Sequence, residues 1–304
     1  MKASFLTPAI TLFREDGTLD TRSQAHLYDF LIEKGTDGLL VEGSSSEFFA
    51  MTMEQRRAAA QFAIEHVNRR VKLIVGTSSM VASEIVELSR FCLERGADAV
   101  MILPPYYFHF GDEALLQYYG TLARQIDGPI YIYNFPDNTG YTVSPEVVLK
   151  LARTYPNIVG IKDTTTGMDH TREVIKAVKA ARPDFEVYSG LDDNLAHNVL
   201  DGGDGCISAL CNVVPEVFAR WVRAAREEDL SGMAACQQAV NRLMDLYQIR
   251  SPFLPVFKKA LQLRGVVQNS ISTFPMPNAG GDDDARITEI LGREGIACGT
   301  SKKG

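Results

Sequence analysis

The chain has 304 residues, of which 45% are hydrophobic and 23% are charged, the composition of an ordinary globular protein long enough to bury a full core. Its net charge of −7 and isoelectric point near 5.4 argue against nucleic acid or an anionic membrane as a partner. No apolar run approaches the ~20 residues of a membrane span, and the start lacks the features of a signal peptide. Five scattered cysteines without a C-x-x-C pair predict reduced thiols in a cytoplasmic protein.

Strand-like apolar runs alternate with helix-length segments up to residue 208, which is the pattern of a parallel sheet. Strands are predicted at residues 5–12, 38–41, 72–76, 99–103, 130–134, 158–162, 185–189 and 205–208. Helices are predicted between them at residues 20–34, 52–67, 82–95, 112–125, from 144 onward, 169–181 and 191–200. Eight such units predict a (β/α)8 TIM barrel, because closure removes both sheet edges. A doubly wound open sheet is disfavoured, since no glycine-rich dinucleotide turn follows the first strand.

The alternation stops at Pro215. Three consecutive helices are predicted at residues 215–228, 231–247 and 251–264, the last with Ser251 as its cap and Pro252 at its first position. A final helix is predicted at residues 285–293, and residues 299–304 are predicted to be disordered. The sequence therefore predicts a catalytic barrel at residues 1–228 and a C-terminal helical region at residues 229–304.

The predicted sixth strand carries a lysine at its end, in the sequence Ile158-Val159-Gly160-Ile161-Lys162-Asp163. A strand-end lysine is ordinarily a surface group that extends its ammonium to water. Held in a dry pocket instead, the amine is a nucleophile toward carbonyl groups. Because barrel enzymes carry their chemistry at the carboxyl ends of the strands, the other strand ends decide between these readings.

Three other strand ends carry polar groups. The second strand leads into Gly43-Ser44-Ser45-Ser46-Glu47, whose hydroxyls and turn amides suit a carboxylate. The fourth leads into Pro105-Tyr106-Tyr107, where adjacent tyrosines point in opposite directions, and the fifth ends in Tyr133-Asn134-Phe135-Pro136. Alone, these segments are ordinary turns and packing groups. Together with Lys162 they suit Schiff-base chemistry on a 2-oxo acid, with a tyrosine moving the proton.

Metal and triad chemistry are disfavoured by the same sequence. The five histidines form no H-x-H or H-x-x-x-H pair, so we expect structural or surface roles and no metal site. No Gly-x-Ser-x-Gly element supports a serine hydrolase. Asp192-Asp193 follows the seventh strand and is placed to accept hydrogen bonds from sugar hydroxyls.

These motifs resemble the dihydrodipicolinate synthase/N-acetylneuraminate lyase family of class I, pyruvate-dependent aldolases, over nearly the whole chain. The resemblance implies that Lys162 forms the Schiff base, that Tyr133 is the general acid/base, and that no other cofactor is used. It implies that Ser45 relays protons and, with Ser44, binds the pyruvyl carboxylate. Tyr107 would complete a proton relay from a neighbouring subunit, within a homotetramer built as a dimer of dimers.

The resemblance also implies a substrate-binding set beyond the carboxylate turn. Thr164 and Asp192 would lie where sugar-acid aldolases and sialate lyases contact substrate hydroxyls, and Gly190 and Ile207 would complete the set. The partner implied is therefore a small-molecule 2-oxo acid.

Two positions depart from the family pattern. Ser46 replaces the usual glycine before Glu47, which brings the turn conformation into question because glycine alone is indifferent to positive φ. Asn138 stands where dihydrodipicolinate synthases carry an arginine for the carboxylate of the aldehyde substrate. An asparagine cannot supply a charged bidentate fork, so aspartate semialdehyde is disfavoured as the substrate.

The leading hypothesis is therefore a lyase that cleaves a 2-keto-3-deoxy sugar acid, of the gluconate or pentonate type, to pyruvate and a hydroxyaldehyde. Within the enzyme class, the alternatives are a sialate lyase, a dihydrodipicolinate synthase, or a dehydratase that uses the same iminium without C–C cleavage. From a different class comes a non-catalytic regulatory barrel that senses a 2-oxo acid.

Overall fold

A computed structural model describes residues 1–299 of the protein. Its strands are all parallel, pair in chain order and close into a barrel in which β8 pairs with β1. The strands are β1 (Ser4–Pro8), β2 (Gly38–Val41), β3 (Lys72–Gly76), β4 (Ala99–Ile102), β5 (Ile130–Asn134), β6 (Ile158–Asp163), β7 (Glu186–Ser189) and β8 (Gly205–Ile207). The predicted (β/α)8 barrel is confirmed.

Helices surround the barrel and continue past it. Within the described residues they are α1 (Thr21–Glu33), α2 (Met53–Val67), α3 (Ala82–Glu94), α4 (Asp112–Gln125), α5 (Pro136–Thr139), α6 (Pro145–Thr154), α7 (Met168–Ala181), α8 (Leu195–Leu200), α9 (Leu210–Val213), α10 (Pro215–Arg226), α11 (Leu230–Leu243), α12 (Leu254–Leu263) and α13 (Gly281–Arg293). In the part of the chain that the structure describes, no helix has the length and apolar character to cross a membrane.

β1 ends earlier than predicted, because the backbone N–H groups of residues 10 and 12 donate to side chains and not to a neighbouring strand. Ile10 N donates to Asn212 Oδ1 at 3.1 Å, and Leu12 N donates to Gln24 Oε1 at 2.9 Å. Residues 9–12 are fully buried but belong to no strand.

The register between β5 and β6 fixes the relation of the two leading catalytic candidates. Tyr133 lies opposite Lys162, and Tyr131 lies opposite Gly160. A Cβ at position 160 would lie 2.4 Å from the Tyr131 ring, so glycine is required for this register. Because side chains alternate between the two faces of a strand, the same register turns Tyr133 and Lys162 to the barrel interior.

A charged network closes the end of the barrel at which the strands begin. Lys72 Nζ donates to Tyr131 Oη at 2.6 Å and pairs with Glu186 at 2.7 Å, and Tyr131 Oη also donates to Glu186. These groups satisfy one another at the amino ends of the strands, where barrel residues serve stability. The open space is therefore at the carboxyl ends.

The C-terminal helices share a core with the barrel: Phe5 of β1 belongs to the same apolar cluster as Val240, Leu261 and Ile287. The predicted start of α12 was wrong. Phe253, not Ser251, is the residue before its first turn, and the Phe253 ring packs on Phe257 at 4.9 Å between centroids. Because Phe253 packs in this way, the helix begins at Leu254 and not at Pro252.

Two further C-terminal predictions have different outcomes. The last helix begins at Gly281, ahead of the predicted 285, because the Asp283 carboxylate accepts from Gly280 N at 3.0 Å and caps the helix. Of the tail predicted to be disordered, Gly299 is described and donates its N–H to Leu263 O at 2.7 Å, while residues 300–304 lie outside the described residues. The division of the chain at residue 228 stays a prediction.

Candidate active site

A cavity of about 470 Å³ lies at the carboxyl ends of the strands. The strand ends contribute to its lining six of the residues singled out from the sequence: Ser44, Ser45, Tyr133, Lys162, Thr164 and Gly190. The barrel therefore brings together residues that are separated by up to 146 positions in the chain, as a site at the carboxyl end of a parallel barrel requires.

Lys162 and Tyr133 form the centre of this cavity. Lys162 is 5% exposed and Tyr133 is 4% exposed. The lysine Nζ donates to Tyr133 Oη at 3.2 Å and lies 4.4 Å from the centroid of its ring. Ser44 Oγ lies 3.4 Å from the same phenol oxygen. An amine, a phenol and a hydroxyl thus form one hydrogen-bonded chain in the cavity, an arrangement suited to proton transfer to and from a substrate bound at the amine.

The serine-rich turn that follows β2 adopts a short 3₁₀ conformation over Ser44–Ser46. The residues with positive φ are Glu42 and Glu47, each at 58°, rather than Ser46. Ser46 is buried, and its hydroxyl donates to the Ala9 carbonyl at 2.8 Å. The serine at this position therefore needs no glycine-like conformation, and it ties the turn to the segment after β1.

A second supporting pair lies behind the same turn. Glu42 is buried with Arg56, whose Nε is 3.0 Å from the carboxylate. Burial raises the pKa of Glu42 to about 7, although Arg56 opposes the shift. The remaining guanidinium nitrogens donate to the carbonyls of Ser78 and Gly76 at 2.8 and 3.0 Å. Arg56 thereby joins the end of β2 to the end of β3.

Thr164 and Gly190 form one wall of the cavity. Thr164 Oγ1 is buried and has no hydrogen-bond partner within residues 1–299. A Cβ on Gly190 would lie 1.9 Å from that oxygen, so the absence of a side chain at position 190 is what leaves the Thr164 hydroxyl room. A buried hydroxyl without a partner suits a hydrogen bond to a bound molecule.

Three predicted site residues do not line the cavity. Asp192 is buried behind Tyr247, whose hydroxyl donates to Asp192 Oδ2 at 2.6 Å, and its Oδ1 accepts from Leu210 N at 3.0 Å. Burial raises the pKa of Asp192 to about 6. The Ile207 side chain is fully buried in the barrel interior, so its side chain is unavailable to a ligand. Tyr107 is 78% exposed.

Within the single chain, the Asp192 carboxylate and the Ile207 side chain are thus packed behind other groups, and their binding roles stay predictions. Tyr107 lies outside the cavity of its own chain, as a residue that serves a neighbouring subunit would. Its role stays a prediction.

The C-terminal region supplies lining residues that the sequence did not single out, among them Tyr247, Arg250 and Met276. Arg250 binds Asp283 at the start of α13, with Nε and Nη2 at 3.1 and 2.9 Å from Oδ2. No strand-end rule points to these positions, because they lie in helix ends and loops far along the chain. Asn138, in contrast, was singled out and does line the cavity.

A buried network supports Lys162 from behind. Its neighbour Asp163 accepts hydrogen bonds from Asn134 Nδ2 and Thr171 Oγ1, both at 2.6 Å. His170 places Nδ1 at 2.9 Å from Asp163 Oδ2 and Nε2 at 3.0 Å from the Val143 carbonyl. This carboxylate thus ties β5 and α7 to the end of β6. Of the residues described, no group of three histidine, cysteine or acidic side chains is arranged to hold a metal ion.

The barrel and its strand-end cavity place the chain among (β/α)8-barrel enzymes, and comparisons with known proteins name the family. The Dihydrodipicolinate synthetase family matches residues 1–293. The putative 2-dehydro-3-deoxy-D-gluconate aldolase YagE of Escherichia coli is 39% identical over 94% of this chain and 93% of its own. Its crystal structure, in complex with pyruvate, superposes with a TM-score of 0.94 over 97% of this chain and 99% of that one, at 36% identity.

Two other relatives show the range of the family. The probable 2-dehydro-3-deoxy-D-pentonate aldolase YjhH of E. coli is 36% identical over 97% of this chain and 98% of its own. A 4-hydroxy-tetrahydrodipicolinate synthase of Kosmotoga olearia is 37% identical over 89% of this chain and 90% of its own. The chain belongs to the dihydrodipicolinate synthetase family. It is an enzyme of the pyruvate-dependent class I lyases.

Proposed function

We propose that the protein cleaves a 2-keto-3-deoxy sugar acid, of the gluconate or pentonate type, to pyruvate and a hydroxyaldehyde. The observation that carries the proposal is the amine of Lys162, 3.2 Å from the Tyr133 phenol, in a cavity that Asn138 lines at the position of the synthase arginine and where the lining Arg250 is paired with Asp283. The names of YagE and YjhH support the same substrate class.

The proposed reaction starts with attack of the Lys162 amine on the C2 ketone. The Tyr133 phenol then gives its proton to the departing hydroxyl, so that water leaves and an iminium ion remains beside the phenolate. The iminium draws in the electron pair of the C3–C4 bond as this phenolate accepts the proton of the C4 hydroxyl, which releases the aldehyde. The re-formed phenol protonates C3 of the resulting enamine and restores an iminium. Water then adds to C2, its proton passes to the phenolate, and the adduct breaks down to pyruvate and the free amine. No further cofactor is needed, because the lysine itself supplies the electron sink.

The remaining groups have binding roles in this proposal. The amides and hydroxyls of Ser44 and Ser45 hold the substrate carboxylate, and Ser45 relays protons. Thr164 offers its unpartnered hydroxyl to the substrate chain. Asp192 acts through Tyr247, which lines the cavity: the phenol donates its hydrogen to Asp192, so that the phenol oxygen serves as an acceptor for a substrate hydroxyl.

The name of the Kosmotoga olearia relative indicates a second candidate function, the synthesis of 4-hydroxy-tetrahydrodipicolinate. Asn138 weighs against it, because an amide does not replace a guanidinium as the partner of the aldehyde carboxylate. A sialate lyase, a dehydratase and a non-catalytic 2-oxo acid sensor share the same lysine. Substrate turnover separates these alternatives.

The test is a panel of 2-keto-3-deoxy acids, with aspartate semialdehyde plus pyruvate and N-acetylneuraminate as further members, in which released or consumed pyruvate is measured. We expect pyruvate from the gluconate and pentonate types. In parallel, borohydride reduction with pyruvate should add one covalent adduct, located on Lys162, and Lys162→Ala should remove both adduct and turnover with its melting temperature preserved. Efficient use of aspartate semialdehyde would contradict the argument from Asn138, and an adduct without release or consumption of pyruvate by any member would leave a dehydratase or a sensor.

A further inference from the structure

Two fully buried charges lie directly behind the carboxylate-binding turn. Glu47 follows the Ser44–Ser46 turn, and Lys258 belongs to α12; both side chains are 0% exposed. Lys258 Nζ pairs with Glu47 Oε1, and Thr273 N donates to Glu47 Oε2 at 2.8 Å. Each oxygen of this carboxylate is thus held by a group from the C-terminal region.

The Lys258 ammonium is shielded from solvent by its neighbours. It donates to the Ile271 carbonyl at 2.8 Å and lies 4.9 Å from the centroid of the Phe13 ring. Burial lowers the pKa of Lys258, although Glu47 opposes the shift. A buried ion pair returns little more stability than its desolvation costs, so a pair of well-packed apolar residues would serve the fold equally well. Stability alone therefore does not account for the pair.

The backbone of Glu47 links the position of its carboxylate to the position of the Ser44–Ser46 turn. Glu47 has φ 58°, a conformation that non-glycine residues hold only when their surroundings fix them. Its N–H donates to the Ser44 carbonyl at 3.2 Å, and its carbonyl accepts from Ala50 N at 2.9 Å. A shift of the side chain therefore moves the hydroxyls that face the cavity.

We propose that Glu47 and Lys258 position the Ser44–Ser46 turn for the substrate carboxylate, which makes the C-terminal helical region a component of the active site. This inference rests on the proposed function, in which that turn binds the carboxylate. Neither residue lines the cavity, so both are positioning residues. Met276, only a few residues beyond the 271–273 segment that holds the pair, does line it.

The experiment measures the pyruvate concentration that gives half-maximal borohydride trapping, in the full-length wild type and in Lys258→Met. We expect a rise of about tenfold or more in Lys258→Met, with the maximal trapped fraction preserved, because misplacement of a binding group by a fraction of an ångström lowers the occupancy of the site rather than the reactivity of the lysine. Lys259→Met is the matched control. Its amine is on the same helix and pairs with Asp284 at 3.4 Å, and it should trap pyruvate as the wild type does.

A folded Lys258→Met with wild-type half-saturation and only a lower melting temperature would overturn the proposal. Where Lys258→Met does not fold, the double variant Glu47→Gln/Lys258→Met decides by the same readout, since it leaves no unpaired buried charge and keeps an acceptor for Thr273 N. The proposed function is tested separately. Trapping of pyruvate by the wild type without cleavage of any sugar acid would end the substrate proposal but not this one. A wild type that traps no pyruvate would overturn both.

Discussion

The Tyr133 phenol lies 3.2 Å from Lys162 Nζ, close enough to move protons at the carbon that the lysine attacks. We expect Tyr133→Phe to slow sugar-acid cleavage by about 10²–10⁴-fold, the usual worth of a positioned acid/base. The measurement is kcat on the best substrate of the panel. Tyr155→Phe, which loses only a hydroxyl bonded to Arg124 at the surface, is the control, and a kcat within twofold of wild type in Tyr133→Phe would assign the proton transfer elsewhere.

Tyr247 is a residue-scale test of substrate recognition. Tyr247→Phe removes the proposed acceptor for a substrate hydroxyl and leaves the buried Asp192 without its 2.6 Å donor. We expect kcat/KM for a 2-keto-3-deoxy sugar acid to fall about tenfold, which corresponds to ~1.4 kcal/mol. Half-saturation by pyruvate should not change, since pyruvate has no distal hydroxyl. An equal loss for both compounds would mean that Tyr247 supports the cavity as a whole and reads no hydroxyl.

At this scale the sequence located the residues that follow strands and missed those that do not. Lys162, Tyr133 and the serine turn could be found because parallel strands bring their carboxyl ends together. Tyr247 could not be found, because its position depends on how the 3₁₀- and α-helical segments of the C-terminal region pack against the cavity. Asp192 follows a strand, yet its carboxylate faces Tyr247 and not the cavity, a distinction that depends on side-chain packing.

At the scale of elements, the hydrogen bonds of Asp163 hold the end of β6 against β5 and α7. Both nitrogens of His170 face acceptors, Asp163 and the Val143 carbonyl, an arrangement that favours the protonated ring. Burial lowers the pKa of His170, but the hydrogen bond to Asp163 and the charge of Asp163 raise it by more, and the net shift is upward. His170 thus joins α7 and the Val143 loop to β6.

A raised folded-state pKa fixes the sign of a pH effect. The stability that His170 contributes is fully present below its ordinary pKa of about 6.5 and is lost as pH rises through the higher folded-state value. We therefore expect the difference in melting temperature between wild type and His170→Ala to be largest in mildly acidic buffer and to shrink as pH rises. His197→Ala, whose residue lies on α8 away from this network, is the control. A difference that stays constant across that range would mean that His170 acts only by packing.

The helices show where sequence reasoning about elements holds. Ser144 caps α6 as predicted, accepting from Val147 N at 3.3 Å, because that motif is local and complete in four residues. The predicted start of α12 was wrong, because the aromatic packing of Phe253 with Tyr247 and Phe257 outweighs the local preference of the Ser-Pro pair. Local motifs predict helix ends only where tertiary contacts do not compete.

At the scale of the whole molecule, an exposed apolar patch on the barrel bears on assembly. Tyr107 and Phe108 are 78% and 68% exposed, and Met80 and Val81 are 46% and 50% exposed. A patch of this kind marks an interaction surface. We propose that it pairs two subunits and that the dimers form a homotetramer, in which Tyr107 completes the proton relay of its neighbour.

Sedimentation of the wild type, together with turnover by Tyr107→Phe, tests this assembly. We expect a tetramer, with kcat of the variant reduced about tenfold or more and an unchanged sedimentation coefficient, because a phenol hydrogen is removed without loss of apolar area. Tyr106→Phe is the matched control, since adjacent side chains point in opposite directions. A fully active Tyr107→Phe would exclude a relay through this hydroxyl, and a monomer at assay concentration would exclude the shared site.

The contact between Gly190 and Thr164 limits how the enzyme can be retuned toward other aldehydes. Any side chain at position 190 would collide with the Thr164 hydroxyl at 1.9 Å, so variation there removes a wall of the site rather than reshaping it. Asn138 and Arg250 line the same cavity. A directed-evolution library that holds residue 190 as glycine and varies those two positions would search substrate range while leaving the bond-breaking centre intact.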